Sequence, residues 1–156
     1  MQVILRLIEQ EDVVSTQYVD MDGDILRYSP DGVSVVDNSM NTIWNETYTM
    51  QNPIADVNGS RAVVADSEGT SLYICDKKGV TGTVTTSYAI VKVRIASNGM
   101  VAVILDNDDN TWINFYNPDG SLVAENLTKI DDPGYPMDVA VSDNGVMMVT
   151  FQYVDG

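Results

Sequence analysis

DVNGSRAVVAD at 56–66, ASNGMVAVILD at 96–106 and VSDNGVMMVTF at 141–151 decide the fold. Each is a turn followed by a short apolar run. Asn58-Gly59, Asn98-Gly99 and Asn144-Gly145 stand at matching places, spaced 40 and then 46 residues apart. Asn-Gly accepts positive φ at both central positions, so each pair predicts a type I′ hairpin turn. A turn signal recurring every 40 residues or so marks a repeat architecture.

The words around these turns repeat as well. SLYICDKKG at 71–79 matches WINFYNPDG at 112–120, and GVSVVDNSMN at 32–41 fits the same template. A more polar segment follows each: TIWNETYT from Thr42, VTGTVTTS from Val80 and SLVAENLT from Ser121. The unit is therefore four short strands. The first repeat occupies 13–49, with strands at 13–19, 24–29, 33–37 and 42–49. The second occupies 54–87, with strands at 54–58, 61–66, 71–76 and 80–87. The third occupies 90–128, with strands at 90–97, 100–106, 111–117 and 121–128. A half repeat at 136–154 holds strands at 136–142 and 146–154. Pro30-Asp31-Gly32, Glu68-Gly69, Pro118-Asp119-Gly120 and Pro133-Gly134 supply turn chemistry between strands. No window carries sustained helical spacing of apolar residues.

Four antiparallel strands per repeat of about 40 residues predict an all-β, β-propeller-like fold of the WD40 or quinoprotein kind. The single domain, 1–156, then holds about three and a half blades. The second strand of each unit is apolar and small, as in Ala62-Val63-Val64-Ala65, which suits a strand covered on both faces. The fourth is rich in threonine and polar, as an outer edge should be. Three and a half blades do not close a ring. The segment 1–8 alternates like a strand and would complete the half blade by pairing with 146–154. Otherwise the open edges invite self-association.

Composition narrows the chemistry. Among 156 residues, 23 acids face 8 bases, giving a net charge of −15. Such a surface repels phosphate, so nucleic acid is excluded as an expected partner. No histidine is present, which removes histidine-based triads and histidine-ligated zinc. The single cysteine, Cys75, sits in an apolar strand and reads as a small buried hydrophobe. Aspartate supplies 18 of the acids and glutamate 5, which places the charge in turns rather than on helix surfaces. Valine, isoleucine and threonine number 45 against 15 for leucine and alanine, a balance that favours strands. No stretch is long and apolar enough to span a membrane.

Particular words carry a resemblance. ILRYSPDGVSVVD, IWNETYTMQNPIADV, YICDKKGVTGTV, YNPDGSLVAE, GYPMDVAVSDNG and FQYVDG resemble an uncharacterised bacterial domain-of-unknown-function family, number fifty-seven eleven. The likeness runs from about Leu26 to the end, with Trp44, Pro53 and Gly134-Tyr135-Pro136 its more specific words. It implies a propeller-like domain on the outer face of a bacterial cell membrane, held by an N-terminal membrane helix that this chain lacks. It also implies a domain that continues past residue 156, and so a larger propeller. The family has no established activity, so it lends no catalytic residues and no cofactor.

Several clusters remain as candidate sites. Asp20, Asp22 and Asp24 alternate across Asp20-Met21-Asp22-Gly23-Asp24, and Asp106, Asp108 and Asn110 have similar spacing. Both are candidate calcium ligands, although Ile25 and Thr111 occupy positions where an EF-hand needs glycine. Both also read as polar hairpin tips. Asp131, Asp132 and Tyr135 lie in the longest non-repeating loop and are candidates for binding a protein or glycan. Trp44 and Trp112 fall in strands, where packing between blades is the first reading and sugar stacking the second. The expectation is a non-enzymatic binding or scaffolding module. A carbohydrate-binding or hydrolytic propeller using loop carboxylates and aromatics is the alternative.

Overall fold

The computed structural model describes the backbone of residues 16–108, 110–129, 135–141 and 147–152, and side chains as far as residue 125 apart from 109. The expected segment 1–8 lies outside the described residues. Within them the chain is all-β, with no helix.

Strands β1 (Gln17–Met21), β2 (Asp24–Ser29), β3 (Gly32–Val36) and β4 (Thr42–Thr47) form the first sheet in chain order, each antiparallel to the next. The second sheet repeats this with β5 (Pro53–Asn58), β6 (Arg61–Asp66), β7 (Ser71–Asp76) and β8 (Gly79–Thr85). The third comprises β9 (Ala89–Ile95), β10 (Val101–Asp106), β11 (Asn110–Tyr116) and β12 (Leu122–Lys129). The pair β13 (Tyr135–Val141) and β14 (Met147–Gln152) follows. The first strands neighbour one another across sheets, β1 by β5, β5 by β9 and β9 by β13. Sheets arranged side by side around their first strands are propeller blades.

The core lies in the seams. Between the first two blades, Met21, Leu26, Val33, Val35 and Met50 meet Ala62, Val64 and Cys75. Between the second and third, Val63, Ala65, Leu72 and Ile74 meet Ile90, Val93, Ile95, Val101, Val103 and Leu105. On the far face of the third blade, Ala102, Ile104, Ile113 and Phe115 form another cluster. Burying each larger aliphatic side chain contributes about 1.5–3 kcal/mol. Ala62 through Ala65 and Val101 through Leu105 are wholly buried, because β6 and β10 have neighbours on both faces. By contrast, every residue of β4 except Trp44 is exposed, as an outer strand should be.

The turns correct one expectation. Asn58 is paired with Arg61, which leaves Gly59-Ser60 as the loop, and only Gly59 has positive φ, at 61°. That is the pattern of a type II′ turn, not I′. After β9 the loop is Ser97-Asn98-Gly99. The Ala96 N–H donates to Met100 O and the Gly99 N–H to Ala96 O, both at 2.9 Å, and Gly99 has φ 91°. That is a three-residue turn ending in a left-handed residue. The type I′ turn occurs instead at Asp22-Gly23, with φ 50° and 90°. Asn144-Gly145 lies outside the described residues.

The extra loop residue has a structural consequence. Val64 and Ile104 each stand six residues after the asparagine of their turn. Yet Val64 faces the preceding blade and Ile104 faces away from it. One residue of slip exchanges the two faces of a strand. Both blades tolerate it because β6 and β10 are apolar on both faces.

The loop after β3 repeats the three-residue turn with methionine in the glycine's place. The Asp37 N–H donates to Asn41 O and the Met40 N–H to Asp37 O, and Met40 has φ 65° while its side chain is exposed. A left-handed side-chain-bearing residue costs about 1–2 kcal/mol, part of which glycine would return through its looser unfolded chain. Met40→Gly is therefore expected to stabilise the fold by about 0.5–1 kcal/mol in urea unfolding.

The turn Pro118-Asp119-Gly120 packs across the preceding blade onto β8. The Thr81 hydroxyl donates to Pro118 O at 2.7 Å. A Cβ added at Gly82 would lie 2.4 Å from the Asp119 carbonyl carbon and 2.5 Å from the Gly120 nitrogen. Those are backbone atoms, so the seam itself would have to part. Gly82→Ala is expected to cost about 1–3 kcal/mol, read as a lower urea midpoint and a lower Tm.

Candidate functional site

The acidic run 20–24 is a hairpin rather than a metal loop. Asp20 pairs with Ile25 and Met21 with Asp24, so the chain reverses within two residues. A cation does sit against it, but it belongs to the protein. Lys77 Nζ lies 3.4 Å from Asp24 Oδ2 and 3.8 Å from Asp22 Oδ2, and it donates to the carbonyl oxygen of Asp22. Lys77 comes from the turn after β7, so the contact ties the second blade to the first. Asp106 ends β10, Asn110 opens β11, and Asp108 between them has φ 79°. The Asn110 N–H donates to Asn107 Oδ1 at 2.9 Å, closing the turn on itself. Among the described residues, no group of three or more acids or cysteines is arranged to hold a metal ion.

Other carboxylates are committed to the backbone. Asp37 Oδ1 accepts from the N–H groups of Ser39 and Asn41 at 2.9 Å each, and the Asn41 bond leads in holding this carboxyl below its usual range. The Ser121 hydroxyl and N–H do the same for Asp119. Both contributions to folding are present above the ordinary carboxylate range and fade as pH falls through the lowered values. Asp66 Oδ1 accepts from the N–H groups of Gln51 and Asn52, fixing the connection between the first two blades. Asp56 Oδ2 accepts from the Ile95 N–H at 2.9 Å, across the next seam.

The two tryptophans are half-buried between blades. Trp44 packs in the first seam, and its Nε1 donates to Asp76 O at 3.1 Å. Trp112 packs in the second, stacked on Tyr88 with ring centroids 5.4 Å apart. Both rings are engaged in packing between blades. Cys75 is fully buried in the first seam, and desolvation pushes its thiol up to about 12, so it remains protonated and inert. Asp131 and Asp132 lie outside the described residues. Tyr135 is placed by its backbone as the first residue of β13.

The structure adds a feature that spacing did not single out. A cleft of about 300 Å³ opens on the first blade, on the face turned away from the second. Its floor is a register row across all four strands: Tyr18 pairs with Arg27, Arg27 with Ser34, and Ser34 with Asn45. Thr16, Ser29, Asp31, Gly32 and Thr47 complete the lining. The available signal was Arg27 itself, in the middle of a second strand where the other blades carry valine or isoleucine.

The family model DUF5711, a family of unknown function, matches residues 2–156, and the chain belongs to that family. No curated protein matches the chain. Among solved structures it is similar to Hsv2 of Kluyveromyces lactis, at 17% identity and TM-score 0.62, over 88% of this chain and 46% of that one. Hsv2 of Kluyveromyces marxianus is similar at 18% identity and TM-score 0.60, over 88% and 46%. A protein of unknown function from Bacteroides caccae is similar at 20% identity and TM-score 0.50, over 85% and 51%. The chain thus spans about half of each neighbour. These likenesses bear on the fold alone, and that fold is propeller-like.

Lys77→Gln removes the cation between Asp22 and Asp24. It is expected to cost about 0.5–1 kcal/mol at low salt. Most of that loss should vanish near 1 M salt, where the screening length is about 3 Å. Urea melts of both proteins at the two ionic strengths check it.

Proposed function

We propose that this DUF5711 member is a non-enzymatic binding or scaffolding module of a bacterial membrane-anchored surface protein, displayed on the outer face of the cell membrane. The observation that carries the reading is the use of its carboxylates. Asp37, Asp66 and Asp119 hold turns and connections, and Asp22 and Asp24 hold a lysine of the next blade. Acid–base chemistry needs a carboxyl pair set across a cleft. Side chains spent on rigidity suit a frame that presents loops to a partner.

The segment proposed to contact that partner, a protein, is 131–136, with Asp131, Asp132 and Tyr135, the last of these opening β13. Nucleic acid is not a partner on this reading, because the net charge is −15. Among the described residues β14 pairs only with β13, and its other edge offers a route to self-association.

The test uses the intact parent protein on cells. Surface-added protease should cleave it without lysis. Crosslinking should recover a protein partner that the double variant Asp131→Ala, Asp132→Ala loses while keeping the parental Tm. Protection from protease, or equal recovery by the variant, would count against the proposal.

A further inference from the structure

The cleft on the first blade is unlike the seams. Where the second blade meets the first it presents Ala62, Val64 and Cys75, and where the third meets the second it presents Val101, Val103 and Leu105. The corresponding face of the first blade presents Tyr18, Arg27, Ser34 and Asn45 instead. An arginine and an amide are costly to press against an apolar blade face. This face is built for polar company.

Its charges are arranged. Arg27 Nε donates to Ser34 Oγ at 3.1 Å, and Ser34 is buried, so the guanidinium is held on the cleft floor. Arg27 forms no ion pair among the described residues. Asp31 lines the same cleft, with its N–H anchored on Ser29 Oγ at 3.1 Å and its carbonyl oxygen accepting from the Tyr48 N–H. Arg27 and Ser29 are two residues apart on β2, about 7 Å of strand, and Asp31 follows in the turn. One cation and one anion therefore share the cleft without neutralising each other. Thr16, Ser29, Asn45 and Thr47 share the lining with them.

We propose that this cleft binds a small zwitterion of the amino-acid type, its carboxylate on Arg27 and its ammonium on Asp31. Guanidinium–carboxylate pairing is charge-assisted and planar, and arginine is suited to it. Net neutrality matters, because a chain of charge −15 repels a simple anion at long range but not a zwitterion. The volume, at the lower end of small-ligand pockets, excludes a large side chain. The site is independent of the segment proposed for a protein partner.

The experiment is an NMR titration of the chain with three probes: L-serine, lactate and ethanolamine. Serine carries both charges, lactate only the carboxylate and ethanolamine only the ammonium. Serine should give saturable shifts centred on Tyr18, Arg27, Ser34 and Asn45. Lactate and ethanolamine should each bind about tenfold more weakly or worse, as should serine to Arg27→Gln and to Asp31→Asn. Absence of saturable shifts overturns the proposal. So does lactate matching serine, or an Arg27→Gln protein that binds serine as the parent does. Should a variant fail to fold, the three probes on the parent chain still decide it.

Discussion

A β-sheet of four short strands has two faces, and in the second and third blades the middle of the sheet is covered on both. Everything else follows from that. The wholly buried run Ala62–Ala65 cannot face water on either side, so the second blade requires a neighbour before it and another after it. Small residues let the sheets approach, and the exposed β4 shows what happens at the rim, where no neighbour comes. The polar contacts serve the same end. Trp44 reaches Asp76, Thr81 reaches Pro118, and Asp56 and Asn58 take the N–H and carbonyl of Ile95. Each crosses a seam and fixes the angle at which apolar faces meet, which burial alone leaves loose.

The fold was legible because its signals were redundant. The strands expected at 24–29, 61–66 and 71–76 are β2, β6 and β7 to the residue. Alternation, turn residues and the 40-residue spacing all pointed the same way there. The turn types were not legible. Asn58-Gly59 and Asn98-Gly99 are the same dipeptide, yet one closes a two-residue loop and the other ends a three-residue loop. The difference lies in which residues pair, and pairing is a tertiary choice. In strands apolar on both faces, either register buries the same kind of side chain. The sequence pattern therefore could not distinguish Val64 facing one way from Ile104 facing the other.

The acidic motifs were visible as charges but not as contacts. Asp20-Met21-Asp22-Gly23-Asp24 has the alternation of a cation site, and a cation does sit there. It is Lys77, 53 residues beyond Asp24, and no local pattern links the two. The same holds for Asp66, whose partners at Gln51 and Asn52 belong to the preceding connection. Spacing identifies ligands when they come from one loop. Here they come from adjacent blades, and only the repeat brings them together. That also accounts for the preference for aspartate. Its short side chain keeps a carboxylate close to backbone N–H groups, and Asp37, Asp66 and Asp119 all use it so.

Arg27 is the residue at which sequence logic and fold logic part. A second strand should be apolar, because neighbours cover it. β2 keeps that rule on the side of Leu26, which is wholly buried in the first seam, and breaks it on the side of Arg27. A strand that is apolar on one face and polar on the other is ordinary at a surface and anomalous inside a propeller. Departures from local consistency concentrate where function overrides packing. The departure here is organised: Ser34 is buried and spends its hydroxyl on orienting the guanidinium, and Tyr18 and Asn45 extend the same register row. A face that merely met solvent would not need a buried serine to aim its one cation. That orienting bond is the feature on which the proposed recognition rests.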